Sequence, residues 1–301
     1  MRYEQTILVS CEIPWDDRQR FIDRIFCEQV RYLLRVGFDH LYIFGTAGEG
    51  YAVDTATFRS IAELFYAETR SAVAQVGVIG LSTANVIERL SIAYGIGFRD
   101  FQISLPCWKP LNDDEMLSFF VDVCGAFPDA RFLHYNLPRA GRLLDANHYR
   151  RIADAVPNLA ATKNTCTTVT STLSLMRKVP EIQHFLSEAM FPVGCLFGEC
   201  SMLSSFGPLM PNRTRELFDH GRTRDLNALF AVYKKYLEVI EDVLRPLSHR
   251  ELIDGAYDKI IVRLAGIAMP LRLLSPYEAF GEAELENCRR VLREKHGDWV
   301  E

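Results

Sequence analysis

Short apolar runs rich in β-branched and aromatic residues recur along the chain. They lie at Thr6–Cys11, His40–Phe44, Ala74–Ile79, Phe101–Ser104, Arg131–Tyr135, Leu159–Lys163, Ile182–Leu186 and, more weakly, around Met202–Ser205. Each has the length and composition of a strand. The segments between them carry apolar residues at helical spacing. Arg18–Val36 places Phe21, Ile25, Val30 and Leu33 near one face, and Thr55–Arg70, Asn85–Ile96, Asp113–Ala126 and Asn147–Ala155 repeat the pattern. Helix starts are marked by Asp54-Thr55, Ser82-Thr83 and Asn112-Asp113-Asp114-Glu115. A weak echo links two turns: Gly37-Phe38-Asp39-His40 precedes the second strand and Gly97-Phe98-Arg99-Asp100 the fourth, each a glycine helix stop.

Strands that alternate with helices at spacings of roughly 20–35 residues predict parallel βα units, and eight such units predict a closed barrel. The expected fold is therefore α/β, a (β/α)8 TIM barrel over residues 1–212. Strand signals stop after about residue 212. Thr223–Leu244, Arg250–Ile267 and Pro276–Arg293 read as helices, punctuated by Pro246, Pro270 and Pro276. Residues 213–301 are expected to form a helical segment packed on the barrel or on a neighbouring subunit. The helix Arg213–His220 and the pair Lys234-Lys235 read as solvated faces.

Composition narrows the partners. Among 301 residues the hydrophobic share is 49%, the charged share 24% and the formal net charge −5, with both signs interspersed. No basic run points to nucleic acid or a membrane surface. No apolar stretch approaches the ~20 residues of a membrane helix. The N-terminus lacks the apolar core of a signal peptide, because Pro14, Trp15, Asp16 and Asp17 interrupt the first apolar run. The eight cysteines form no C-x-x-C pair and no zinc-like cluster with histidine. Free thiols, a cytoplasmic location and no metal are the expectations.

In such a barrel, chemistry sits where strands end and βα loops begin. Strand six ends in Thr162-Lys163-Asn164. A lysine at the mouth of an apolar barrel is desolvated, which favours the neutral amine and lets it attack a carbonyl as a Schiff-base former. By position alone such a lysine is more often a stem snorkelling to water. Strand five ends in His134-Tyr135-Asn136-Leu137-Pro138, which puts Tyr135 on the neighbouring strand at the same end. There it reads either as a proton shuttle or as an aromatic filler. Strand two ends in Gly45-Thr46-Ala47-Gly48-Glu49-Gly50, a small-residue loop whose backbone N–H groups are suited to a carboxylate. The Thr46 hydroxyl is in place to reach Tyr135. Met202, on the weak eighth strand, joins the candidate binding residues with Gly45 and Ala47. Cys166 reads as a residue lining the site or as a small buried hydrophobe. Glu49 reads as structural.

Together these strand ends resemble the dihydrodipicolinate synthase / N-acetylneuraminate lyase family of class I pyruvate-dependent lyases, as a divergent member. The family's Gly-[Thr/Ser]-Thr-Gly-Glu motif resembles Gly45-Thr46-Ala47-Gly48-Glu49, its Tyr-Asn-x-Pro motif is matched by Tyr135-Asn136-Leu137-Pro138, and its Schiff-base lysine falls on Lys163. The resemblance implies a pyruvate or 2-keto acid imine on Lys163, with Tyr135 and Thr46 in the proton path. It implies carboxylate binding by the Thr46 and Ala47 amides, a homotetramer of dimers, and no cofactor. Departures accompany it. Ala47 stands where the family has a second threonine. Trp108, or Cys107, stands where the family places a tyrosine reaching into a neighbouring subunit. Ala140 stands where the dihydrodipicolinate synthases hold an arginine, with Arg139 beside it. Gly198-Glu199-Cys200-Ser201 also departs from the family's glycine-rich stretch. The expected function is a lyase acting on a 2-keto or 2-keto-3-deoxy acid. A weakened or non-catalytic keto-acid sensor is the alternative, and a sugar-phosphate barrel enzyme ranks below both.

Overall fold

The computed structural model describes residues 2–69, 72–165 and 168–300. Eight parallel strands close into a barrel in sequence order, each pairing with the next and β8 (Ser201–Ser204) with β1 (Ile7–Ser10). Between these lie β2 (His40–Ile43), β3 (Val73–Val78), β4 (Asp100–Ile103), β5 (Arg131–Asn136), β6 (Leu159–Asn164) and β7 (Gln183–Ser187). All eight fall on the apolar runs that predicted them. Helices α1 (Asp23–Arg35), α2 (Thr55–Glu68), α3 (Thr83–Ile96), α4 (Asp113–Gly125), α5 (Ala146–Ala155), α6 (Val169–Lys178), α7 (Phe191–Phe197) and α8 (Pro211–Thr223) follow the strands in turn. Three more helices come after them: α9 (Leu226–Leu244), α10 (Asp254–Leu264) and α11 (Glu282–His296).

Local chemistry accounts for most boundaries. Asp54 accepts from the Thr57 amide at 2.7 Å, and Asn112 and Glu115 form a reciprocal capping box at the start of α4. Helix α1 begins later than its apolar pattern predicts. The Asp16 carboxylate takes the Arg18 and Arg20 amides, and Trp15 bridges to Phe21, which holds residues 16–21 in a turn. Helices α6 and α7 were not predicted. α6 is built largely from serine, threonine and other weak helix formers, and α7 contains Pro192 and Gly194. The helix around Arg213–His220 is amphipathic, with Thr214, Leu217 and Phe218 buried.

One irregularity aims the site. In β6, Leu159 pairs with Phe132, but Ala161 pairs with Leu133, so Ala160 is an extra residue in the strand. Strict alternation would put Leu159 and Lys163 on the same face. The bulge reverses the phase, leaving Leu159 with the helix layer while Ala161 and Lys163 face the lumen with their partners Leu133 and Tyr135.

A second feature narrows the mouth. Helix α10 crosses the C-terminal end of the barrel, where its Lys259 forms a fully buried ion pair with Glu49 at 2.7 Å. Glu49 also accepts from the Trp15 indole at 2.8 Å and from the Leu274 amide at 2.6 Å, and Lys259 donates to the Arg272 carbonyl. Glu49 is therefore structural, but its amide partner lies in the C-terminal segment rather than in its own loop. Removing one partner leaves the other charge buried and unpaired, a mechanism worth about 3–5 kcal/mol. Lys259→Met is expected to lower unfolding free energy by about that amount in denaturant titrations. The double change Glu49→Gln with Lys259→Met is expected to cost less than the single one.

Candidate active site

The C-terminal mouth of the barrel holds a cavity of about 260 Å³. Lys163 stands in its wall with Tyr42, Thr46, Ala47 and Tyr135 from the strand ends. Asp254, Tyr257 and Asp258 of α10 complete the opposite side. Lys163 is only 2% exposed. Its Nζ donates to Tyr42 Oη at 2.9 Å and lies 3.9 Å from the centre of the Tyr135 ring. Burial pulls the amine down to about 7, against an opposing pull from the Asp254 and Asp258 carboxyls. Burial likewise pushes the Tyr135 phenol up to about 12, with the Asp254 charge acting in the same direction and the Thr46 side chain in the other. Tyr135 is thus a protonated donor at neutral pH, beside an amine that is about half unprotonated there.

The loop after β2 is shaped by strain and close approach. Phe44 adopts φ 61°, a left-handed conformation unusual for a bulky residue, and turns its carbonyl toward Gly50 and Gly77. A Cβ on either glycine would lie 2.2 or 2.4 Å from that oxygen. Beyond it, Glu49 N bonds Thr46 O, and Gly50 N bonds Gly45 O. Among the described residues, the Thr46 and Ala47 amides have no such partner, and both residues line the cavity. Asn136 pins the loop after β5 by bonding both Leu144 backbone groups, and it donates to Asn164 at 3.1 Å, beside Lys163.

The structure brings Lys163, Tyr135, Thr46 and Ala47 together, with Gly45 at the base of the same loop. Three other candidates stand apart. Met202 points into the layer between strands and helices, and its neighbour Leu203 lines the cavity instead. Trp108, on the loop after β4, is 87% exposed and outside the cavity wall. Arg139 sits at the rim with its guanidinium in a two-bond pair with Asp254, at 2.8 and 3.1 Å. Cys166 lies outside the described residues.

Sequence reasoning missed Tyr42, Asp254, Asp258, Glu12 and Glu188. Glu188 accepts from Ser204 Oγ and from the Ser205 and Phe206 amides, fixing the loop that lines the cavity after β8. Asp258-Lys259 is a pair of charges inside the apolar run Ala256–Val262, and Glu12 interrupts an apolar strand end. Both were visible as signals. The one grouping with metal-ligand geometry among the described residues is Glu238, Asp242 and His296, and none of the three lines the cavity. Asp242 is already engaged by Lys295, His296 and Arg245.

Comparison with known proteins gives this geometry its place. The model of the dihydrodipicolinate synthetase family matches residues 4–295. The chain belongs to that family. N-acetylneuraminate lyase of Mus musculus is 30% identical over 152 residues, which is 46% of each chain, so the match spans about half of that relative. A DapA-like lyase of Thermococcus onnurineus is 23% identical over 280 residues, 89% of this chain and 91% of the relative. Two solved structures share the fold. YagE of E. coli K12, a family member solved in complex with pyruvate, superposes with a TM-score of 0.86 at 17% identity, covering 96% of this chain and 98% of that one. Proteus mirabilis N-acetylneuraminate lyase gives 0.85 at 16%, covering 97% and 99%. The barrel and its C-terminal helices are therefore those of this family, at low identity. Among the described residues, no helix is long and apolar enough to cross a membrane.

The lowered pKa of Lys163 carries a stability cost whose sign is fixed. The native amine releases its proton near pH 7, while the unfolded one holds it to about 10.5. The native state binds fewer protons between those values, so stability rises with pH across that window. The cost is full below about pH 7 and gone above about 10.5. Lys163→Met is therefore expected to stabilise the fold by about 3–5 kcal/mol at pH 6, with the gain vanishing toward pH 10.5. Denaturant unfolding at several pH values checks it.

Proposed function

We propose that this protein is a Schiff-base-forming lyase that acts on pyruvate or a 2-keto-3-deoxy acid through Lys163. The observation that carries the reading is the buried amine, held near neutrality and paired in register with Tyr135 across β5 and β6. The pyruvate complex of the similar YagE structure supports the choice of ligand.

The Lys163 amine adds to the keto carbon, and loss of water gives an iminium. That cation draws the electron pair of the C3–C4 bond when a hydroxylated substrate cleaves, or the C3 proton's pair when a condensation or dehydration begins. Tyr135, which shares the cavity wall with Thr46, moves the proton to and from the C4 oxygen. The free Thr46 and Ala47 amides hold the substrate carboxylate, and Gly45 lets their loop lie close. No metal or organic cofactor enters these steps. Arg139 and Asp254 flank the second half of the cavity. Met202 supports the wall from behind Leu203. The loop bearing Trp108 is assigned to a subunit contact in a homotetramer of dimers.

A sensor reading has one observation in its favour: the Trp108 loop delivers no proton-relaying side chain to the cavity in the single subunit. Turnover separates the two readings. Incubation with pyruvate and borohydride is expected to leave a stable mass on the peptide holding Lys163 and none in Lys163→Arg. No adduct with pyruvate or a panel of 2-keto acids would sink the proposal. Tyr135→Phe is expected to retain the adduct while losing about 10²–10⁴-fold in aldol turnover. An adduct with no turnover in the unaltered protein selects the sensor.

A further inference from the structure

Lys163 is connected to more than its substrate cavity. Its Nζ donates to Tyr42 Oη at 2.9 Å. Tyr42 is paired in register with Ser10 of β1, so the two buried side chains stand side by side on neighbouring strands. Ser10 Oγ donates to Glu12 Oε1 at 2.5 Å, and Gln29 of α1 donates to the other carboxyl oxygen at 2.5 Å. Lys163, Tyr42, Ser10 and Glu12 are all buried. A row of buried polar groups therefore runs across the barrel interior from the amine to a carboxyl group, hydrogen-bonded at both ends and juxtaposed at Tyr42 and Ser10.

We propose that Tyr42, Ser10 and Glu12 form a proton relay for Lys163. Tyr42 is a further catalytic residue, in contact with the reacting nitrogen. Ser10 and Glu12 are positioning residues that act through it. The proposal rests on the reading of Lys163 as an imine former.

The ammonium donates to Tyr42, and Ser10 donates to Glu12, so a proton passed from Tyr42 to its neighbour Ser10 completes the row. Moving three protons one step along the row leaves a neutral amine at one end and a protonated carboxyl at the other. The amine then forms the C–N bond, and a proton passes from nitrogen to the former keto oxygen. Dehydration breaks that C–O bond and needs one proton, which returns from Glu12 through Ser10 and Tyr42. Water leaves, and the products are an iminium cation and a Glu12 carboxylate. The two charges arise together, so no net charge enters the dry interior, and the keto acid is the only reactant required.

The surroundings of Glu12 suit this role. Burial pushes its carboxyl up to about 7, the range of Lys163, so transfer between the two ends is nearly level. Ser10, Gln29 and the Lys259 charge of α10 pull in the other direction. Asp258 of α10 faces it as a second buried acid, and Cys11 is its neighbour on the chain. Trp108, on the surface, offers no such path.

The test is the rate of imine formation, read by timed borohydride quenching with pyruvate from about pH 5 to about pH 9. In the unaltered protein the rate is expected to rise through about pH 7. Tyr42→Phe and Ser10→Ala are expected to slow it at least ~10-fold while reaching the same final adduct. Glu12→Gln, which keeps the shape but has one acceptor oxygen and no proton to exchange, is expected to slow it and flatten its pH profile, and Glu12→Asp to restore part of both. A purely structural role would not move the pH profile. Rates within about twofold of the unaltered protein in Tyr42→Phe and Ser10→Ala would overturn the relay. So would an unchanged pH profile in Glu12→Gln. Absence of any adduct in the unaltered protein would overturn the imine reading itself, and the relay with it.

Discussion

The ion pair between Glu49 and Lys259 joins the loop after β2 to a helix 210 residues further along the chain. Both charges are fully buried, and each has further partners: Glu49 accepts from Trp15 and the Leu274 amide, and Lys259 donates to the Arg272 carbonyl. A buried pair that lacks such partners rarely repays its desolvation. Here it holds α10 over the barrel mouth. A Cβ on Gly255 would already lie 3.0 Å from the Ala47 carbonyl, so helix and loop are in contact. That contact narrows the mouth beside Lys163, and burial is the largest influence on its amine.

Two irregularities of the backbone aim the site, one at the start of β6 and one at the end of β2. The extra residue Ala160 turns Lys163 inward, and Phe44 turns the β2 loop over the cavity at the expense of a left-handed conformation. Both are unfavourable locally and are held by what surrounds them. A rigid scaffold with such local departures is what precise placement of an amine, a phenol and two backbone amides requires.

The eight strands were legible because each is an apolar run bounded by turns. Lys163, Tyr135 and Thr46 were legible as strand-end residues. The phase of β6 was not. Ala160, Ala161 and Thr162 are small enough to face either side, so nothing in them announces a bulge. Glu49 and Lys259, and Lys163 and Glu12, are separated by long stretches of chain, and no local pattern joins them. Asp258 and Lys259 were conspicuous as charges within an apolar helix face, but their partners are set only by how α10 crosses the barrel. Met202 illustrates the opposite error. Proximity to a strand end was legible, but the side it faces depends on pairing with Ile7 rather than Leu8.

The central claim is that burial at the barrel mouth pulls the Lys163 amine down to about 7. The most direct measurement is an NMR titration of lysine labelled with carbon-13 at the ε position, with the Lys163 signal assigned by its loss in Lys163→Arg. A midpoint near pH 7 is the predicted result. A midpoint near 10.5, the ordinary value for a lysine in water, would contradict it.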